Sequence, residues 1–446
     1  MFDLIVIVTR YLFVFYIIYF LAQGVAYIAA ERAGPQQAGR RKQAGLRMRA
    51  AAAKQRVAIV FMHLSAYLIL AYRPGEFRFD YRTLLVGAAG FVFIALGQFA
   101  AERVYKNSCP LLWNGVFFLL DTGLIMLQRI TGFAERQIVW FAVGFTVMLL
   151  LPFVLKLIPR FENLERLYLY AGLLLLALTS VVGVKKFGAY HTIKILSLNV
   201  QPSEAVKFLF VFYLASVFRK QLTLRDMLFP TAMSAVLAAI LTYQRDLGAA
   251  LIFFTTFMLM HYIATGSAWF FAAGLTSLAA ASVVAYKIFA HISVRITAWH
   301  NPWSDASGDG YQIIQALFAI GGGGLWGAGL TRGALTIPVL ESDSIFAAIC
   351  EEFGVVFGIG LIAVFIMVFY RGVNVALRCK KRYYALLAAG FIIILAFQAF
   401  LILGGITKLI PLTGVTLPFV SYGGSSIVIC LMMAGILQWI YGKERG

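Results

Sequence analysis

Charge of either sign is scarce in this chain, and acidic charge above all. Of 446 residues only 19 are Asp or Glu, against 38 Lys and Arg, and charged residues together make 13% of the whole. Hydrophobic residues make 61%. Too few polar side chains remain to coat a water-soluble domain, so the composition implies a polytopic helical membrane protein. Cysteine and histidine are also rare, at four and five residues. Cys109 and Cys379 fall in loops read as cytoplasmic, and Cys350 and Cys430 fall in spans, so no disulfide framework is expected. No histidines stand at metal-ligand spacing, which argues against a zinc site. There is no Walker motif, dinucleotide fingerprint or HExxH helix, and no inverted repeat of the kind many transporters carry.

What the chain does have is apolar sequence of membrane-crossing length, about 20 residues per span. Thirteen spans are predicted, at 3–30, 56–73, 84–101, 111–130, 137–156, 166–184, 203–219, 227–243, 247–264, 268–290, 345–370, 383–404 and 417–441. The first lacks a small-residue cleavage site and exceeds the apolar core of a signal peptide, so it is read as retained. The net charge of +19 is concentrated in alternate loops, at 31–56, 102–110, 157–166, 219–226, 371–382 and the tail. The first of these alone holds Arg32, Arg40, Arg41, Lys42, Arg47, Arg49, Lys54 and Arg56. That is the positive-inside bias that orients membrane proteins, with an electrostatic hold on anionic lipid headgroups added to it, and not a nucleic-acid surface. It predicts a cytoplasmic C-terminus, and an extracytoplasmic N-terminus and 291–344 loop.

Composition breaks near residue 105. Residues 1–105 read as an extension of three spans and a basic cytoplasmic loop, and 106–446 as a close-spaced core carrying the unusual polar residues. Polar groups inside spans cost a few kcal/mol each at the helix centre, so each needs a reason. Glu204 and Lys207 stand at i and i+3, on one helix face, after Pro202 in a first turn. Two readings are open: a self-neutralising pair near a helix end, or the lining of a polar cavity. Asp246 is read as a helix cap. Glu351 and Glu352 open a span, and as neighbours they point to different faces. Asp121 and Lys287 are read as isolated, structural or bundle-facing residues.

The 291–344 loop is too long to be a plain connection. Asn301-Pro302-Trp303-Ser304-Asp305 is turn chemistry ending in a carboxylate, and Ala306-Ser307-Gly308-Asp309-Gly310 is expected to be flexible. A helix-like stretch follows from residue 311, with Gln312 and Gln315 on one side. The glycines at 321–324, with Gly327 and Gly329, are read as a flexible turn, or alternatively as a phosphate cradle. Asp305 and Asp309 are either two solvated acids or a site at which one acts as general base or cation ligand.

Taken in order, six stretches resemble the SEDS family (shape, elongation, division and sporulation), the group of RodA, FtsW and SpoVE. They are Gln201-Pro202-Ser203-Glu204 with Lys207; Arg245-Asp246-Leu247-Gly248 through Leu251; Asn301-Pro302-Trp303-Ser304-Asp305 through Gly310-Tyr311-Gln312; Gly323-Gly324-Leu325-Trp326-Gly327 through Leu330; Ser342-Asp343-Ser344 through Glu351-Glu352-Phe353-Gly354; and Pro411-Leu412-Thr413-Gly414 through Pro418-Phe419-Val420-Ser421-Tyr422-Gly423-Gly424-Ser425-Ser426. The resemblance implies an all-α fold with a ten-span core, here 111–441, plus the three extra N-terminal spans. It implies a peptidoglycan glycosyltransferase of the bacterial cytoplasmic membrane, polymerising lipid II into β-1,4-linked glycan strands with an undecaprenyl-diphosphate-linked donor. The family's catalytic acid maps onto Asp305, as general base. Its central cavity maps onto Glu204 and Lys207, with Asp343 near the mouth, and Gln312 and Ser421, in the matching stretches, are expected among its substrate-binding residues. Lys207, Arg295 or a divalent cation (Mg or Mn, with Asp305 as ligand) would face the diphosphate. A class B penicillin-binding protein is the implied partner, beside membrane lipids. This chain departs from the usual pattern at Ala306, where relatives often carry Pro, and at Glu341-Ser342-Asp343-Ser344, where they often read His-Thr-Asp-Phe. Two other readings stay open: a lipid II flippase or transporter, and a non-catalytic membrane scaffold for a penicillin-binding protein.

Overall fold

The computed structural model describes residues 2–33, 38–130, 132–186, 189–195, 198–220 and 223–445. Among them are sixteen α-helices: α1 (Phe2–Ala33), α2 (Ala38–Ala71), α3 (Tyr81–Val104), α4 (Pro110–Arg129), α5 (Ala134–Leu157), α6 (Glu165–Val182), α7 (Pro202–Phe218), α8 (Leu224–Tyr243), α9 (Leu247–Thr265), α10 (Ala268–Ile288), α11 (Ala290–His300), α12 (Tyr311–Gly323), α13 (Ile345–Phe353), α14 (Val355–Arg378), α15 (Arg382–Ile406) and α16 (Gly424–Arg445). Twelve are long and apolar enough to cross a membrane. The thirteenth predicted span, 203–219, is α7, a helix of 17 residues with a polar first turn.

Two local expectations are corrected. The predicted basic loop is mostly helix, because α2 starts at Ala38 and runs unbroken into the span; its Ala, Arg, Lys, Gln and Leu are strong helix formers. Residues 34–37 and the side chains of Arg40 and Arg41 lie outside the described residues. The predicted span 345–370 is broken at Gly354, whose φ of +91° ends α13. Short antiparallel strands occur at β1 (Tyr72–Arg73) with β2 (Arg78–Phe79), and at β3 (Val184–Lys186), β4 (Ala189–Ile195) and β5 (Leu198–Val200).

The chain divides into two compact units. The first is Met1–Ala142, Ile314–Arg371 and Phe419–Tyr422. In it α2 is joined to α4 at two polar rungs. Gln55 Nε2 donates to the Phe20 carbonyl of α1 (3.1 Å), and Asn114 of α4 donates to Gln55 Oε1 (3.1 Å) and to the Ala52 carbonyl (3.0 Å). Two turns on, His63 Nδ1 and Asp121 Oδ1 are 2.5 Å apart, and His63 Nε2 lies 2.9 Å from the Gly87 carbonyl of α3. A carbonyl only accepts, so Nε2 carries a proton. Asp121, expected to be isolated, is therefore partnered, and both side chains are sealed at 0% and 1% exposure. Arg371 of α14 pairs with Glu31 of α1 as a third tie. Between the rungs aromatic rings fill the space, with Phe20 on Phe118 at 4.5 Å.

The second unit is Val143–Ile313, Gly372–Pro418 and Gly423–Gly446. Its helices start where the sequence supplies caps: Thr223 and Asp226 form a capping box on α8, and Pro202 stands in the first turn of α7. Helices α7, α9 and α15 approach closely because Gly390 faces Val211 and Met260, where a Cβ would meet sulfur at 2.7 Å. Phe161 anchors a ring cluster with Phe212, Tyr383 and Trp439. Helix α10 is the least covered span, with Trp269 84% exposed. Lys287, expected to be structural or bundle-facing, is exposed in its last turn, where a cation complements the helix dipole.

Candidate functional site

In the second unit, the start of α7 carries a buried polar relay. Lys207 Nζ donates to Glu204 Oε1 (2.8 Å) and to Gln398 Oε1 of α15 (2.9 Å). Gln398 Nε2 donates to the Thr416 carbonyl (2.9 Å), and Thr416 Oγ1 lies 2.8 Å from Ser426 Oγ. Lys207 is 2% exposed and Glu204 7%. The geometry is that of a self-neutralising pair near a helix start, where a carboxylate also gains from the helix dipole. Glu204 Oε2 is buried without a hydrogen-bond partner. Thr416 and Ser426 belong to the last matching stretch; Gln398 was not anticipated, and its only signal was a lone amide in an apolar span.

Asp246 caps α9 as expected, accepting from Ala249 N (3.0 Å), and it also receives Gln201 Nε2 (3.0 Å) and Ser203 Oγ (3.3 Å). The loop before α7 is thereby tied to the start of α9. Arg295 lies on α11, and its Nη1 donates to the carbonyls of Leu412 (3.2 Å) and Thr413 (3.1 Å). Trp299 Nε1 donates to the Lys408 carbonyl (3.1 Å). Both side chains pin α11 to the 408–413 segment, so the Nη1 end of Arg295 is occupied by backbone.

Asp305 ends a 3-10 turn, Pro302–Asp305, just after α11. Its carboxylate accepts the backbone N–H of Gly308 (3.1 Å) and of Asp309 (3.1 Å), and its carbonyl accepts that of Gly310 (3.1 Å). The stretch expected to be flexible is instead a turn wound tightly on one carboxylate. A Cβ at Gly308 would stand 2.7 Å from Asp305 Cγ, and one at Gly310 would meet the backbone of Pro302. Asp305 and Asp309 face a groove of about 150 Å³ whose other wall is Ser293, Val294 and Thr297 of α11. Asp305 is exposed to solvent. Gln312 is half-buried in the first turn of α12, the next element.

The remaining candidates belong to the first unit. Ser421 Oγ donates to the Ser342 carbonyl (2.6 Å), Tyr422 N donates to the Glu341 carbonyl (2.8 Å), and Ser342 Oγ donates to Asp343 Oδ1 (2.9 Å). Asp343 and Ser421 are thus neighbours through Ser342. Glu351 and Glu352 point to different faces yet serve one segment. Glu351 accepts from Ala334 N (2.7 Å). Glu352 accepts from Gly333 N (3.2 Å) and from Arg129 Nε (2.8 Å), and Arg129 Nη2 donates to the Gly333 carbonyl (3.1 Å). This clamp holds a strap in which Thr331, Leu335 and Val339 all have positive φ, a conformation that costs non-glycine residues energy and needs such support. The glycine run is neither a flexible turn nor a phosphate cradle. Gly323 ends α12 against the backbone of Cys350 and Glu351, Gly327 lies on that of Glu352, and Ala328 N and Gly329 N donate to the carbonyls of Glu351 (2.8 Å) and Glu352 (2.9 Å).

Among the described residues no group of three or more His, Cys, Asp and Glu could hold a metal ion. Asp305 and Asp309 line one groove and offer carboxylate oxygens, the donor type a hard cation takes.

The sequence profile of the FtsW/RodA/SpoVE family, described as cell cycle protein, matches residues 103–446. The chain is 32% identical over 391 residues to the peptidoglycan glycosyltransferase RodA of Mycobacterium tuberculosis, covering 80% of this chain and 83% of that one. It is 33% identical over 341 residues to stage V sporulation protein E of Bacillus subtilis, covering 72% and 93%. Among solved structures it is similar to the rod shape determining protein RodA of Thermus thermophilus, with a TM-score of 0.57, 26% identity and coverage of 76% and 99%. It is also similar to a chain of a peptidoglycan synthase complex that coordinates polymerization and crosslinking, with a TM-score of 0.64, 27% identity and the same coverage. This multi-pass membrane protein belongs to the FtsW/RodA/SpoVE family.

Proposed function

We propose that this chain is a peptidoglycan glycosyltransferase that polymerises lipid II, with Asp305 as general base. The observation that carries the assignment of the base is the Asp305 carboxylate itself: solvent-facing, on a groove, and oriented by two backbone N–H groups. Asp305 takes the proton of the acceptor GlcNAc 4-hydroxyl as that oxygen attacks the anomeric carbon of the donor. The bond to the undecaprenyl diphosphate breaks, the diphosphate leaves with the electron pair, and the α-linked donor becomes a β-1,4 linkage. General-base help of this kind is worth about 10²–10⁴-fold. The leaving diphosphate needs positive charge. Lys207 supplies it, with Glu204 and Gln398 as the residues that hold its ammonium. A divalent cation on Asp305 and Asp309 would add Lewis-acid stabilisation of the same oxygens.

The positive-inside bias supports an orientation with the C-terminus cytoplasmic and the N-terminus and the 291–344 loop outside, where lipid-linked donor and acceptor meet. The likeness to a chain of a peptidoglycan synthase complex supports a class B penicillin-binding protein as the crosslinking partner.

The test is polymerisation of fluorescent lipid II by the purified chain, alone and with a class B penicillin-binding protein, beside Asp305→Asn. Glycan ladders from the wild type that vanish in the mutant are expected. Ladders from both remove Asp305 from the mechanism. No ladder from the wild type with an active partner and divalent cations favours a flippase centred on Glu204 and Lys207, or a scaffold.

A further inference from the structure

We infer that the N-terminal helices α1–α3 are an intramolecular brace that fixes the glycine turn at 323–329, and that the first half of α1 carries positioning residues for the transfer reaction. The effect on reaction rests on the glycosyltransferase reading; the bracing itself does not. The family profile begins at residue 103, so α1 and α2 lie outside it and α3 reaches only its edge. These helices are nevertheless locked to the family core. Gln55–Asn114, His63–Asp121 and Glu31–Arg371 tie them at three levels. Buried polar pairs between apolar helices specify register more than they add stability, so this lock sets where α1 stands along α4.

What that register delivers is a contact at the other end of α1. A Cβ on Gly329 would lie 2.5 Å from Val6 Cγ1, so helix and turn approach as closely as glycine allows, and the φ of +102° there requires glycine as well. Val6 is buried. Tyr11 packs on Trp326 with ring centroids 5.6 Å apart, and Phe13 packs on Phe353 at 4.8 Å. Arg10, stacked on Tyr11 at 4.7 Å, reaches toward the Gly327 carbonyl. The turn so covered holds two ends in place. One is the C-terminus of α12, the helix that follows the Asp305 turn and begins at Tyr311. The other is the Glu351–Glu352 backbone, whose side chains hold the strained strap that leads to Asp343. On its other side the turn rests on the backbone after α13, where Val355 N and Val356 N donate to the Gly324 (3.0 Å) and Leu325 (3.2 Å) carbonyls, while Leu325 and Trp326 stay exposed. Without α1 the turn would lose its cover on the α1 side and its backbone hydrogen bonds to Glu351 and Glu352 would open more often, because a glycine-rich segment has the most conformational freedom to regain.

The experiment compares the full chain in lipid nanodiscs with Val6→Ala/Tyr11→Ala, Tyr11→Phe and Phe15→Ala. Tyr11→Phe keeps the ring on Trp326, and Phe15 is an exposed residue of the same helix. The readouts are hydrogen exchange of the Ala328 and Gly329 amides, and glycan polymerisation per monodisperse protein with kcat and KM separated. In the double variant exchange is expected to quicken about tenfold, equivalent to about 1.4 kcal/mol. Its kcat should fall by a similar factor with KM for lipid II unchanged, while the other two variants match the wild type. Unchanged exchange in the double variant overturns the brace. Faster exchange with unchanged kcat overturns the positioning role. A wild type that makes no glycan refutes the glycosyltransferase reading instead, and exchange alone then decides the brace.

Discussion

Adding one methyl group at Gly308 should disable the protein without unfolding it. The Cβ of Gly308→Ala would stand 2.7 Å from both Asp305 Cγ and Oδ1. Relief cannot come from a distant flexible group, because the atoms in the way are the carboxylate assigned as base. The nearest atom is Asp305 Oδ2, and Asp305 has only two side-chain torsions, so the carboxylate must swing away and give up its bonds from Asp309 N and Gly308 N, both now 3.1 Å. A displacement of about 1 Å at a reacting group costs on the order of 10²-fold in rate, which is about 2.7 kcal/mol of barrier. The turn is exposed and adds little to the core, so thermal stability should change by less than about 0.5 kcal/mol. The assay is the initial rate of lipid II polymerisation, with Ser307→Ala as the neighbouring control. Wild-type turnover in Gly308→Ala would show that the position of this carboxylate does not matter, and the general-base assignment would fall with it.

Arg129→Ala removes the partner of a fully buried carboxylate, Glu352, and frees one end of the strap at 331–335; a loss of about 3–5 kcal/mol is expected, read as the thermal midpoint in detergent, with Arg129→Ala/Glu352→Leu recovering part of it. His291, at the start of α11, is held below its ordinary value first by burial and then by the charges of Arg245 and Arg295. A depressed folded-state value means the folded chain binds that proton less readily than the unfolded chain, so the contribution is complete above about pH 6.5 and is lost as pH falls through the folded value. The thermal midpoint should therefore drop as pH falls below about 6.5, and His291→Asn should flatten that slope; an unchanged slope refutes the assignment.

Most of the architecture was legible because a membrane forces it. Every predicted span contains a long helix, though 345–370 is broken at Gly354 and the last starts only at Gly424, since about 20 apolar residues leave the backbone no other way to satisfy its polar groups. The helix break at Gln244-Arg245-Asp246 was legible for the same reason, with Asp246 as its cap. What was not legible involves partners distant in sequence. Asp121 looked isolated because its partner, His63, lies 58 positions away in a span that reads as featureless. The glycines at 321–324 looked flexible because composition reports freedom of the chain; residues 321–323 instead end α12, and Gly323 abuts the backbone of Cys350 and Glu351, which are distant in sequence. The basic stretch after α1 looked like a loop because its charge outweighed its helix propensity in the reading. For the site, the sequence singled out Asp305, Glu204 and Lys207, but not Gln398, which takes up a second proton of the Lys207 ammonium.

A buried acid with spare valence is often taken as a sign of function, and this molecule shows why that is too weak a test. Asp121, Glu204 and Glu352 each keep one carboxylate oxygen buried without a hydrogen-bond partner. Two of the three are joined to bases that fix helix register or a strap, so the spare oxygen does not single out the reacting group. Asp305 differs in kind. Both its oxygens accept backbone N–H bonds that orient them, yet the residue stays exposed on a groove, so lone pairs remain for a substrate proton. The two kinds of carboxylate should respond in opposite ways to the same isosteric change. Asp121→Asn removes the charge from a sealed pair and should lower the thermal midpoint by the equivalent of about 1–3 kcal/mol, while turnover per folded molecule is unchanged. Asp305→Asn should leave the midpoint where it was and remove turnover, because an amide offers no base and one of the two N–H groups that faced a carboxylate oxygen now faces an NH₂. Measuring both quantities on both variants separates structural from reacting acids; a stable, active Asp121→Asn, or an Asp305→Asn that loses stability and activity together, would refute the distinction.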